Sequence, residues 1–170
     1  MLKEREGRKT PNQTKPPNQR LFYCLKEMIS DEYAADLFNL LCGSEIGSGV
    51  YRTVYQCNMN PDWVVKKDTG ENFSNIFEYQ IYHEYEGTKL AKWLAPVHWL
   101  SQRGLWLMMT KTEPIPQSKL PKKIPAIFAD THPGNWGWLN GRVVCHDYGN
   151  NRIFHLAKSG ACDMVDADFE

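Results

Sequence analysis

The run Asp130-Thr131-His132-Pro133-Gly134-Asn135, followed through Trp136-Gly137-Trp138-Leu139-Asn140-Gly141-Arg142-Val143-Val144-Cys145 to His146-Asp147-Tyr148-Gly149, is the most informative stretch of this 170-residue chain. Asp130 and Asn135 stand on either side of a Pro-Gly turn, a spacing that lets both side chains converge on one cation-and-hydroxyl site. The carboxylate can accept or orient a proton there, and the amide oxygen can ligate a metal. Trp136–Leu139 and Val143–His146 read as β-like runs, and Asn140-Gly141 between them is a strong hairpin signal. Asp147, at the end of the second run and close to Gly149, can face a phosphate-bound Mg2+. Each of these features taken singly is also an ordinary polar turn.

Moving toward the N-terminus, β-rich runs fall at Val50–Cys57, Trp63–Lys67, Val97–Ser101 and Leu105–Thr110. Turn signals separate them, namely 58–62 and 102–104. Ile46-Gly47-Ser48-Gly49-Val50-Tyr51-Arg52 precedes the first run. Glycines in such a turn let backbone N–H groups approach phosphate oxygens. In Trp63-Val64-Val65-Lys66-Lys67, strand alternation puts Val64 and Lys66 on one face and Val65 and Lys67 on the other. Val64 could then cover a base while Lys66 reaches phosphate, although either lysine could be the one. A helix over Asn75–Thr88 has an apolar arc of Phe77, Ile81 and Tyr85. Glu78 falls at one edge of that arc and Glu84 at the other. A carboxylate beside a core needs a partner, and Lys66 is the candidate. The competing local reading pairs Asn75 with Glu78 at the helix start.

In this order the features resemble the protein-kinase-like superfamily: a Gly-rich loop, a strand lysine paired with a helix glutamate, D-x-x-x-x-N and an Asp-Tyr-Gly variant of D-F-G. The D-T-H-P-G-N and H-D-Y-G forms look closest to the atypical branch that includes aminoglycoside-phosphotransferase-like and small phage or bacterial kinases. The resemblance covers residues 43–149 and implies ATP and Mg2+ as cofactors. It implies that Gly47 and Gly49 cover the phosphates, that Lys66 contacts them and is held by Glu78, and that Val64 packs on the base. Met109 would guard the back of the adenine pocket, and the backbone from Thr110 to Thr112 would bond the adenine edge. Asp130 would be the catalytic base, and Asn135 and Asp147 would hold Mg2+. The chain departs from the family at Arg52, which replaces a third loop glycine, and at Phe128-Ala129, where His-Arg is usual. It is also short between Thr112 and Asp130 and after Gly149.

The expected fold class is α+β: a kinase-like N-lobe of antiparallel sheet plus one helix, with a strongly reduced C-lobe and an N-terminal helical prelude. The divisions are a flexible basic tail (1–20), the helical prelude (21–42), the N-lobe with hinge (43–112) and the reduced C-lobe (113–170). The tail carries six basic and two acidic residues and little to bury. In the prelude, Leu21, Leu25 and Met28 share helical spacing, as do Ala34, Phe38 and Leu41, and Ser30 is placed to cap a second helix. The prelude, or a second copy of the chain, is the candidate brace for the shortened C-lobe. Residues 113–125 are proline-punctuated and hold no long helix. The acidic end, 163–170, is expected to be exposed. Trp93, Trp99, Trp106, Trp136 and Trp138 read as core or hairpin-packing residues.

Zero net charge argues against a nucleic-acid footprint beyond the basic tail. Five scattered cysteines read as reduced thiols. No run suits a membrane span or a signal peptide, which points to the cytoplasm. The expected function is ATP/Mg-dependent phosphoryl transfer to a Ser/Thr or small-molecule hydroxyl. One alternative is a pseudokinase-like module that binds nucleotide or a partner protein. A second is a metal-dependent hydrolase built on Asp130, His132, His146 and Asp147.

Overall fold

The computed structural model describes residues 30–152 and 162–169. The basic tail and the first part of the prelude, 21–29, lie outside the described residues. Ser30 accepts a hydrogen bond from Tyr33 N at 3.2 Å and starts helix α1 (Asp31–Asp36). Leu37 interrupts the helix, and a short α2 (Phe38–Leu41) leads directly into strand β1 (Cys42–Ser48). The prelude therefore ends at Leu41. Strand β1 was hidden in the sequence because Cys-Gly-Ser-Glu-Ile-Gly-Ser is poor in β-formers. It extends only because its neighbour pairs with it along a sheet edge.

Strands β2 (Arg52–Cys57), β3 (Trp63–Asp68), β4 (Val97–Leu100) and β5 (Trp106–Thr110) complete an antiparallel sheet in the order β1-β2-β3-β5-β4. Alternation sorts its side chains into two cores. Val65, Trp106 and Met108 pack with Ala34 and Leu41 under the N-terminal helices. Val64, Leu107 and Met109 pack on the other side with Ile81, Tyr85 and the C-terminal half. Asp31 is buried at the start of α1, and its carboxylate accepts from Ser101 Oγ, Arg103 N and Leu105 N. Its role is thus to fasten the helix to the β4–β5 turn, and those donors offset the cost of burying it.

Helix α3 (Ser74–Tyr85) follows Phe73, whose φ of 58° is left-handed. The helix stops short of the expected Thr88, which turns back to donate through N and Oγ1 to Tyr85 O at 2.9 and 2.6 Å. Its buried stripe is Asn75, Glu78, Ile81 and Tyr85, while Phe77 is only partly buried. The polar Glu78 therefore lies within the buried stripe rather than at its edge.

Residues 113–125 contain no α-helix. Strand β6 (Glu113–Pro114) joins β8 (Trp136–Leu139) and β9 (Arg142–Cys145) in the order β6-β8-β9. Asn140 and Gly141, at φ 49° and 79°, form the hairpin turn. Strand β7 (Lys123–Pro125) pairs with β10 (Met164–Asp166), so the exposed acidic end is an ordered strand. Beyond β10, Asp168 O accepts from Thr131 Oγ1, and the Phe169 ring meets Trp136 edge-on at 5.7 Å. The two halves meet where Ala95 N donates to Cys145 O at 2.9 Å and Tyr148 Oη donates to Ala95 O at 2.8 Å. Trp99, Trp106 and Trp136 are buried and Trp93 partly so. Trp138 is instead 41% exposed, although alternation puts it on the same face of β8 as the buried Trp136.

The architecture is α+β with mostly antiparallel sheet. Cys42, Cys57, Cys145 and Cys162 are free thiols. Among the described residues no helix is long and apolar enough to cross a membrane.

Candidate functional site

A cleft of about 570 Å3 opens between the five-stranded sheet and the C-terminal half. Gly47 and Gly49 reach it from β1 and the turn after it, Val64 and Lys66 from β3, and Met109 to Thr112 from the end of β5. Asp130 and Asn135 enter from the 130–135 loop, and Asp147 from the segment after β9. Val64 and Met109 are directly paired across β3 and β5, giving the cleft an apolar wall. Residues far apart in the chain thus share one concavity, and Glu78 lies buried behind it.

The charged centre is built around Glu78, which has no exposed surface. Lys66 Nζ lies 3.0 and 2.9 Å from the two Glu78 oxygens and also donates to His146 O. Its partner on α3 is Glu78, not Glu84. Tyr148 N donates to Glu78 Oε1 at 3.3 Å. The local Asn75–Glu78 pair is not made, because Asn75 Nδ2 donates to Lys66 O and Leu105 O, each at 3.2 Å. Burial lowers the Lys66 pKa and Arg52 lowers it further, while Glu78 and Asp147 oppose them. Lys67, on the opposite face, lies 5.3 Å from the Trp106 ring centre.

Arg52 stands where the family pattern has a third loop glycine. In the structure its Nη1 lies 2.9 Å from Glu78 Oε1 and 3.4 Å from Asn75 Oδ1, and its Nη2 bonds Asp147 Oδ1. Two cations therefore face two acids. A sequence signal for this existed. Alternation along β2 puts Arg52 on the face of Val54, whose cross-strand partner is Lys66. Burial alone would raise the Asp147 pKa, but Lys66 and Arg52 outweigh it and hold the carboxyl at about 2.

The 130–135 loop is braced from within. Asp130 Oδ1 accepts from His132 N at 3.0 Å, and His132 Nδ1 accepts from Gly134 N at 3.1 Å. His146 then ties this loop to the end of the five-stranded sheet. Its Nδ1 lies 2.8 Å from Thr112 Oγ1, its Nε2 lies 2.9 Å from Gly134 O, and its N donates to Asn135 O at 2.8 Å. Burial first, and the Lys66 charge second, lower its pKa to about 4. With both ring nitrogens engaged, His146 makes no metal-ligand set with His132, Asp130 and Asp147. Among the described residues no group of three or more His, Cys, Asp or Glu is placed to hold a metal.

Two oxygen donors nevertheless suit a hard cation that takes its remaining ligands from phosphate and water. The Asp147 side chain is 44% exposed to the cleft, and Asn135 lines the same space with its buried Nδ2 lacking a hydrogen-bond partner.

Neither loop glycine is required by packing. A Cβ at Gly47 would meet nothing within 4 Å, and one at Gly49 only Arg52 O at 3.9 Å. Gly137 and Gly149 differ. A Cβ there would come within 2.2 Å of Thr112 Oγ1 and 2.8 Å of Ser74 Cβ, respectively, so both close the walls around the site.

The chain matches no known protein-family model and no curated protein.

Proposed function

We propose that the cleft binds ATP with Mg2+ and transfers its terminal phosphoryl group to a Ser/Thr or small-molecule hydroxyl, as a kinase-like N-lobe on a reduced C-lobe. The observation that carries this reading is the buried Lys66–Glu78 pair opening onto the same cleft as Asp130, Asn135 and Asp147. A triphosphate needs fixed positive charge and close backbone approach, and the site offers Lys66 and the sterically free Gly47 and Gly49. Val64 and Met109 suit the face of a base. The Thr110 and Lys111 amides are spent on Pro96 O and Asp62 O, each at 2.8 Å, so the amide donor to the adenine edge falls to Thr112.

Asn135 and Asp147 would hold the metal, which when bound supplies electrostatic relief of phosphate charge. Asp130, its carboxylate fixed through His132 N, would orient the acceptor hydroxyl.

One observation favours a second reading, a module that binds nucleotide without transfer: Arg52 already occupies Asp147. Thermal unfolding with and without Mg-ATP tests the site. At about 100 times Kd a ligand adds roughly 2.7 kcal/mol to stability. We expect stabilisation of the wild type and its loss in Asp147→Asn. Asp130→Asn should keep the shift and lose about 10^2-fold or more of phosphoryl transfer. No shift in the wild type rejects the nucleotide site. A shift without any transfer that depends on Asp130 selects the binding module.

A further inference from the structure

We infer that Arg52 is the internal place-holder for the divalent cation at Asp147, so that the metal enters only as the guanidinium releases that carboxylate. This rests on the reading of Asp147 as a metal ligand.

The geometry is a fork with unequal tines. Nη1 is anchored on Glu78 Oε1 at 2.9 Å, with Asn75 Oδ1 at 3.4 Å, while Nη2 reaches forward to Asp147 Oδ1. The two acids differ in the same sense: the Glu78 side chain has no exposed surface, whereas that of Asp147 is 44% exposed to the cleft. The Arg52 side chain is 10% exposed and also lines the cleft. Arg52 is therefore fixed at the back and releasable at the front.

Charge balance gives the contact its meaning. Lys66 is already engaged by both oxygens of Glu78, so without Arg52 the carboxylate of Asp147 would lack its nearest cation. Lys66 and Arg52 together offset the charges of Glu78 and Asp147. A dication bound to Asp147 would face a guanidinium already bonded to one oxygen of that carboxylate. Like charges so close repel in a partly desolvated site. The metal must displace Nη2, while the contacts of Nη1 let Arg52 stay attached to the fold. An arginine suits this exchange better than a lysine, because its planar fork can keep one partner while changing another. Metal arriving with its own anionic phosphates gives the released donors a new acceptor in the cleft. Bare metal does not.

The test measures binding of Mn2+ alone, without nucleotide, from the free-ion electron paramagnetic resonance signal. Wild type, Arg52→Ala, Arg52→Gln and Arg52→Ala/Asp147→Asn are compared at one ionic strength. The glutamine variant retains side-chain bulk near Asn75 and guards against a result caused by misfolding, with far-UV circular dichroism on every protein. We expect both single variants to bind Mn2+ about tenfold tighter than wild type, a factor equal to about 1.4 kcal/mol, and the double variant to lose the gain. Binding no tighter in either single variant, or a gain that survives Asp147→Asn, overturns the place-holder. Loss of Mg-ATP stabilisation in the wild type alongside the expected Mn2+ result rejects the nucleotide reading and leaves the exchange at Asp147 standing. The opposite pattern rejects the exchange alone.

Discussion

Glu78 serves two cations and one backbone amide from a position with no exposed surface. Replacing it with Ala leaves Lys66 and Arg52 sharing a buried space with only Asp147 as counter-charge. Breaking a buried pair from one side costs roughly 3–5 kcal/mol, and Glu78→Ala should fall in that range by urea denaturation. A loss below about 1 kcal/mol would mean that the two cations find water. The identity of the Lys66 partner was half legible in the sequence. Periodicity placed both Glu78 and Glu84 near the core, and only packing selects Glu78. Arg52 was the residue least legible. Its sequence neighbourhood is a glycine-rich turn, and its two acidic partners lie on helix α3 and beyond the distant β9 strand.

At the scale of elements, the segment after β9 is held against the start of α3 by close backbone approach at Gly149. A Cβ there would lie 2.8 Å from Ser74 Cβ and 2.9 Å from Ser74 O, and the backbone cannot yield as a flexible side chain can. Gly149→Ala should therefore cost roughly 1–3 kcal/mol as an overpacked contact. It should also weaken Mg-ATP stabilisation, because Asp147 stands on the same short segment. An unchanged urea midpoint would show that the two elements can part without loss. Strands rich in β-branched and aromatic residues were visible in sequence, as was the Asn140-Gly141 hairpin. Strand β1 was not, since its extended form is imposed by pairing with β2 rather than by its own residues. Nor was β10 visible: its exposed, acidic run gains its order from β7 and from Phe169 packing on Trp136.

For the whole molecule, stability should depend on pH through its shielded groups. Burial lowers His98 from its ordinary 6.5 to about 4, and His146 is likewise lowered to about 4. Between these values the unfolded chain takes up protons that the fold refuses, so stability is full above about pH 6.5 and falls as pH drops toward 4. Asp147, lowered from 3.8 to about 2, extends the loss through that lower window. Urea midpoints across pH 8 to 3 test this. His98→Gln, which can keep the contact to Thr110 Oγ1, should flatten the slope between 6.5 and 4. It should leave the lower part of the curve in place. An unaltered slope would assign the acid loss to other groups. Alternation in Trp63–Lys67 made the two faces of β3 readable, but neither the two-core division that those faces serve nor the contact between halves was. That contact depends on Ala95 and Cys145, which carry no motif, and on the Tyr148 hydroxyl, whose partner across the molecule the Asp-Tyr-Gly run does not reveal.

The strand that follows β7 in space but comes last in the chain brings Asp168 within a hydrogen bond of Thr131, next door to Asp130. A group carried on the Asp168 side chain would therefore stand close to the candidate reactive loop. A dye grafted there would act as a local reporter of the loop, and, under the proposed transfer, a bulky adduct at the same point would obstruct large acceptors before small ones.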